Sequence, residues 1–330
     1  MHDAGTTEFV IGLNAAIVAV SGKSPRILVV KGNDRDELDG LPFGPFDPAR
    51  HRTMETSLRT TVERQTALHM GYIEQLYTFG DRGRHKVPGD SGPHVVSVGY
   101  LALTRMDDES SRRIAAAGAE WRDWYAYLPW EDWRQGRPPA LDQVIIPALS
   151  DWAHSRPAPE RSGLLPSRRS RLRLAFGLDD FPFDEERVLE RYELLYEAGL
   201  VEEAVANGRC EDTGLSSPLG LQMRYDHRRI AATALARLRG KIKYRPVIFE
   251  LMPPEFTLTE LQTTVEAISG RHLHKQNFRR LVDGAALVEP TGETATGTGG
   301  RPAALFRFRR KIFNERPAPG LKVGGRGSTG

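Results

Sequence analysis

At 330 residues the chain exceeds what one hydrophobic core ordinarily serves, so two domains with a connector are expected. Hydrophobic residues make up 39%, and no apolar run approaches the roughly 18 residues that span a bilayer, which argues against a membrane protein. Met1-His2-Asp3-Ala4-Gly5 lacks the charged start and apolar stretch of a secretory signal, and a lone Cys210, in a loop-like Asn-Gly-Arg-Cys-Glu-Asp context, forms no internal disulfide. A cytoplasmic location is expected, with Cys210 a bystander. Net charge is only +3, but residues 226–330 hold 19 Lys plus Arg against 9 Asp plus Glu, while the remainder holds 27 against 34. A basic carboxy-terminal module attracts a polyanion, and nucleic acid is the leading partner.

In chain order, residues 9–20 and 26–30 read as strands around the turn Ser-Gly-Lys-Ser-Pro, and residues 72–79 and 94–104 as further strands. A helix over roughly 53–68 lies between them, giving an α/β or α+β sandwich, with α+β preferred. The stretch 153–173, with Arg-Pro-Ala-Pro-Glu-Arg-Ser-Gly and Ser-Arg-Arg-Ser-Arg, has linker composition. Asp184 then opens a helix to about Ala204 whose stripe of Val188, Leu189, Tyr192, Leu195, Tyr196 and Ala198 must pack on something, either a sensor-side core or a dimer partner. Asp226 opens another helix to about Gly240, with seven basic side chains between Arg228 and Arg245.

Thr257-Leu258-Thr259-Glu260 has the form of a capping box, and Leu258, Leu261, Val265 and Ile268 then recur on one face until Gly270. A second helix over about 274–282 buries Phe278, Leu281 and Val282 and turns Gln276, Arg279 and Arg280 outward. Strands over 286–289 and 304–308 flank a Gly/Thr-rich loop over 291–300. Helix, turn, helix, hairpin is the order of a winged helix, whose second helix enters the major groove. The candidate DNA contacts are Lys243, Arg245, Thr259, Lys275, Gln276, Asn277, Arg279, Arg280 and, from the hairpin, Arg301. The competing reading is a merely solvated charged face.

Leu41-Pro42-Phe43-Gly44, a short loop and the helix ending Thr60-Thr61-Val62-Glu63-Arg64-Gln65-Thr66-Ala67-Leu68 resemble a Nudix box. In that family, paired helical glutamates hold a divalent metal that activates water against a diphosphate. The resemblance puts Thr60 at the box Arg, Thr61 at its first Glu, Arg64 and Gln65 at the paired metal glutamates and Ala67 at its Gly. Glu63 lies one position out of register, about 100° around the helix. No catalytic residue, no metal ligand and no cofactor is expected. Glu74 to Arg84, Lys241 to Leu251, Phe256 to Gln262, Asn277-Phe278-Arg279-Arg280 and Gly300-Arg301-Pro302-Ala303 are similar to the Nudix-related transcriptional regulators of NAD metabolism.

That resemblance implies a Nudix-like α/β/α sandwich, a helical connector and a winged helix-turn-helix domain. It further implies a homodimer on a palindromic operator, repression of NAD synthesis or salvage genes, and release by ADP-ribose or a related NAD metabolite. The ligand-side residues it implies are Gly44, Phe79, Arg82 and Arg84, with Phe79 stacking on a base and an arginine meeting a diphosphate; an ordinary basic turn is the alternative. The expected division is 1–155 sensor, 156–225 linker and connecting helix, 226–315 winged helix and 316–330 disordered tail. A Nudix hydrolase with a nucleic-acid-binding extension, and an interaction protein without a small ligand, are the rival classes.

Overall fold

The computed structural model describes residues 9–31, 38–81, 93–155, 166–210, 219–295 and 302–322. Strand β1 (Phe9–Ser21) is apolar nearly throughout because both its faces are covered. It lies between β2 (Ser24–Val30), its antiparallel hairpin partner, and a strand near residue 100 that runs parallel to it. The short β3 (Phe43–Pro45) also pairs with β1, and helix α1 (Met54–Thr66) follows, started by Thr53, whose hydroxyl accepts from Thr56 N at 3.1 Å. Then come β4 (Tyr72–Phe79), β5 (His94–Leu103), α2 (Asp108–Ala116) and β6 (Ala119–Asp123), completing a mixed sheet of order β4-β5-β1-β2-β6. The helix and four strands expected from sequence are present; β6 and α2 carry no clear pattern in the sequence.

Side chains alternate across a strand, so β1 feeds two cores. Leu13, Ala15 and Ile17 join Leu58 and Val62 of α1, whereas Ala16 and Val18 face the carboxy-terminal half of the molecule. Past β6 the chain makes tight turns carrying Trp124, Tyr127, Leu128 and Trp130, all fully buried, and enters α3 (Ile146–His154).

Of the linker expected over 153–173, the first residues belong to α3 and the last to a helix, while 156–165 lie outside the described residues. Helix α4 (Arg168–Phe176) is capped by Ser167, whose hydroxyl accepts from Ser170 N at 3.2 Å, and buries Leu172 and Phe176 one turn apart. The single helix expected over 184–204 is two, α5 (Val188–Glu197) and α6 (Glu202–Ala206). The break is at Gly199, φ +76°, where any side chain would strike the Cys210 thiol.

Helix α7 (His227–Ile242) packs on β1, β4, β5 and α5 and also reaches the winged helix. It forms the second helical layer of the sandwich, and Arg228, Arg229 and Arg239 turn inward. Arg228 is 1% exposed and donates to Tyr127 O at 2.9 Å and to Glu203 at 3.2 Å. Arg229 pairs with Asp81, Glu193 and Asp226, and Lys241 with Glu74. Much of the basic surplus counted after residue 226 is therefore neutralised inside the molecule.

The winged helix follows as β7 (Phe256–Thr257), α8 (Leu258–Ser269), α9 (Lys275–Ala285), β8 (Val288–Ala295) and β9 (Ala303–Phe308), in a small sheet of order β7-β9-β8, with a closing turn α10 (Ile312–Glu315). Of the tail expected to be disordered over 316–330, residues 316–322 are described and pack on the molecule, and the rest lie outside the described residues. Leu321 is 1% exposed and its N–H donates to Ile242 O at 2.8 Å, closing the end of α7; one apolar side chain suffices because it enters an existing core.

Candidate nucleic-acid interface and ligand pocket

The α8 capping box forms as the sequence suggests, with Glu260 N donating to Thr257 Oγ1 at 3.1 Å and Thr257 N to Glu260 Oε2 at 2.7 Å. The turn into α9 is fixed by side chains that sequence reasoning missed. Gln262 donates to Leu273 O at 2.8 Å, and Leu273 N donates to Glu266 Oε1 at 2.8 Å. These bonds satisfy backbone groups that would otherwise be loose, and they set the angle at which α9 leaves α8.

On α9, Phe278 and Val282 are buried, whereas Lys275, Gln276, Asn277, Arg279 and Arg280 are exposed. That face combines three cations with two amides, groups that can meet phosphates and base edges. Arg280 donates to Asn277 Oδ1 at 3.0 Å, which orients both side chains. Thr259 is exposed in the first turn of α8. Arg245 is exposed and donates to Pro317 O at 3.4 Å. Lys243 does not join this surface: its ammonium lies 2.6 Å from Glu186 and 2.9 Å from Glu185, facing the connector. Burial pulls its pKa down, but the bonds to those two carboxylates more than reverse this and hold it above the usual lysine range. Arg301 lies outside the described residues.

Of the expected ligand-side residues, Arg82 and Arg84 also lie outside the described residues. Gly44 sits in β3 against α1, where a Cβ would come within 2.8 Å of Thr61. Phe79 is 3% exposed, with the Arg229 guanidinium 4.9 Å from its ring centre, so the face expected to stack on a base is already covered.

A cavity of about 410 Å³ opens instead where the loop before β3 meets the end of α1 and the start of α7. Phe43, Tyr225 and His227 cluster there with ring centres 5.6–6.3 Å apart, and Lys31, Arg64 and Arg224 also line it. His227 Nδ1 accepts from Leu41 N at 2.9 Å, which places the proton of the neutral ring on Nε2. Gln65 uses its whole amide on the backbone of Phe43, accepting from N at 3.1 Å and donating to O at 2.7 Å. Glu63 points outward and meets His69 at 3.4 Å. Tyr225 and His227 carry no signal readable beside the box, because about 160 residues separate them from it.

Residues 248–308 match the NrtR DNA-binding winged helix domain. The chain is 43% identical over 100 residues to the ADPR responsive transcriptional repressor NtrR of Acinetobacter baylyi, a match spanning 30% of this chain and 40% of that repressor. Shewanella oneidensis NrtR crystallised with a 27mer DNA has a similar fold, with TM-score 0.54 and 19% identity over 92% of this chain and 95% of that one. The same protein without DNA gives 0.53 and 20% over 91% and 94%. Residues 248–308 thus form a winged helix of the NrtR DNA-binding type, and the chain as a whole shares the fold of Shewanella oneidensis NrtR.

Proposed function

We propose that this chain is a sequence-specific transcriptional repressor whose α9 reads duplex DNA and whose Nudix-like half senses ADP-ribose or a related NAD metabolite. The observation that carries the reading is the exposed Lys275–Arg280 face on the second helix of an NrtR-type winged helix. Lys275, Gln276, Asn277, Arg279 and Arg280 contact the major groove, Thr259 and Arg245 the phosphates, and Arg301 the backbone or minor groove. The chain acts in the cytoplasm as a homodimer on a palindromic operator in front of NAD synthesis or salvage genes. In this reading 1–155 is the sensor, 156–225 the connector and 226–315 the DNA-binding half, with α7 shared between the outer two.

The effector enters the cavity beside Phe43, where three rings offer stacking and Lys31, Arg64 and Arg224 offer charge to a diphosphate. Gly44 supports this wall from behind; Arg82 and Arg84 remain proposed contributors. The Nudix box is degenerate in this account. A cation stands at one metal-glutamate position, and the amide at the other is spent on Phe43, so binding is not followed by hydrolysis. Selection of bound duplexes from random DNA, followed by replacement of Arg279 and Arg280 with Ala, tests the reading. Selective binding should vanish while nonspecific binding and folding persist; undiminished selectivity would place recognition elsewhere.

A further inference from the structure

A second and larger cavity, of about 880 Å³, lies at the opposite end of α7, between the sensor sheet and the winged helix. Its size is within the range of small-molecule sites. One wall is aromatic: Phe249 and Phe308 stack with centres 4.5 Å apart, and Phe313 meets Phe308 edge-on at 5.7 Å while remaining 52% exposed. The other walls carry Arg105, Lys241, Arg245, Arg307 and Arg310 against a single carboxylate, Glu250.

Three of those cations are occupied, Lys241 by Glu74, Arg307 by Glu289 and Arg245 by the Pro317 carbonyl. Arg105, just past β5 of the sensor, and Arg310, just past β9 of the winged helix, have no ion-pair partner among the described residues. Two like charges borne by different halves of the molecule thus share one cleft beside an uncovered ring. Repulsion and exposed apolar surface are both relieved by one kind of occupant, a polyanion attached to a flat aromatic group.

We propose that this cleft is a nucleotide site, separate from the pocket beside Phe43, taking a nucleoside di- or triphosphate with its phosphates between Arg105 and Arg310 and its base on Phe313. Occupation bridges sensor and winged helix directly and favours the arrangement in which the two guanidiniums are close. The proposal does not depend on the identity of the effector in the other pocket.

The test is calorimetric titration of the full chain with ATP, and separately with inorganic tripolyphosphate and ADP-ribose. ATP should bind more tightly than tripolyphosphate, and Phe313→Ala should erase that difference. Arg105→Ser with Arg310→Ser should weaken ATP by about tenfold or more, leaving ADP-ribose affinity and the thermal midpoint unchanged, since both side chains are exposed. Absence of ATP binding, or ATP binding indifferent to the double variant, overturns the proposal. So does ATP binding lost only when Arg224 is replaced, which assigns the nucleotide to the other pocket. A double variant that loses DNA affinity while the parent binds no ATP assigns these cations to DNA phosphates, and likewise overturns it.

Discussion

The Gln65 amide accepts from one backbone group of Phe43 and donates to another, a pairing that a carboxylate cannot reproduce at the second contact. Gln65→Glu should therefore set a charge against the Phe43 carbonyl and lower stability by about 1–2 kcal/mol in urea unfolding. A variant as stable as the parent would show that this contact contributes nothing. Two residues on, Ala67 closes α1 at φ 54°, in the left-handed region, and stands where the box resemblance has glycine. Ala67→Gly should raise stability by roughly 0.5–1 kcal/mol by relieving that strain. Both substitutions from the box pattern were legible in the sequence. What Gln65 does was not, because it depends on β3, 22 positions earlier, folding back over α1.

The junction between the amino-terminal sheet, the helices that follow it and the winged helix is built on a buried carboxylate. Glu131, from the turn after β6, lies 2.5 Å from Arg191 of α5 and 2.7 Å from Arg239 of α7, and all three side chains are essentially inaccessible. Arg239 also donates to Ile268 O at 3.0 Å and Tyr125 to Ala267 O at 2.8 Å, so the turn after β6 and α7 together satisfy the open carbonyl end of α8. Gly270, φ +71°, lets the chain turn there; a Cβ would run into the Glu131 carbonyl. Removing one charge from such a cluster strands the others, so Glu131→Gln should cost about 3–5 kcal/mol by chemical unfolding.

Burial pushes the Glu131 carboxyl up, but Arg191 and Arg239 more than reverse this and hold it below the usual range. A carboxylate with a depressed folded pKa stabilises at pH values above its unfolded pKa, about 4.3, and loses that contribution as pH falls through the folded value. Acidification below about pH 4.3 should consequently destabilise the parent more steeply than Glu131→Gln. Parallel acid profiles would show that Glu131 is not the group responsible. These elements also mark the limit of sequence reading. Apolar periodicity located α8 and α9, but a run such as Arg228 to Arg245 looks the same whether its cations face water or buried carboxylates. Only the partners at Glu131, Glu203 and Glu185 distinguish the two.

At the scale of the whole molecule, α7 is a beam with the pocket beside Phe43 at its start, the second cleft near its end and the mixed sheet along its side. Leu321 fastens the far end of that beam, a role hidden by the Gly- and Pro-rich composition around it. Leu321→Ala should lower stability by about 2–4 kcal/mol, a loss that a disordered tail would not produce. A rearrangement at the Phe43 pocket can reach α8 and α9 through this shared helix, provided the ligand binds one arrangement better than the other. The decisive measurement is the affinity of the full chain for a duplex it selects itself, with and without saturating ADP-ribose, followed by fluorescence anisotropy. The account predicts that ADP-ribose weakens DNA binding by about tenfold or more and is recovered intact in the presence of Mg²⁺. Unchanged DNA affinity, or Mg²⁺-dependent consumption of ADP-ribose that Glu63→Gln abolishes, would contradict it.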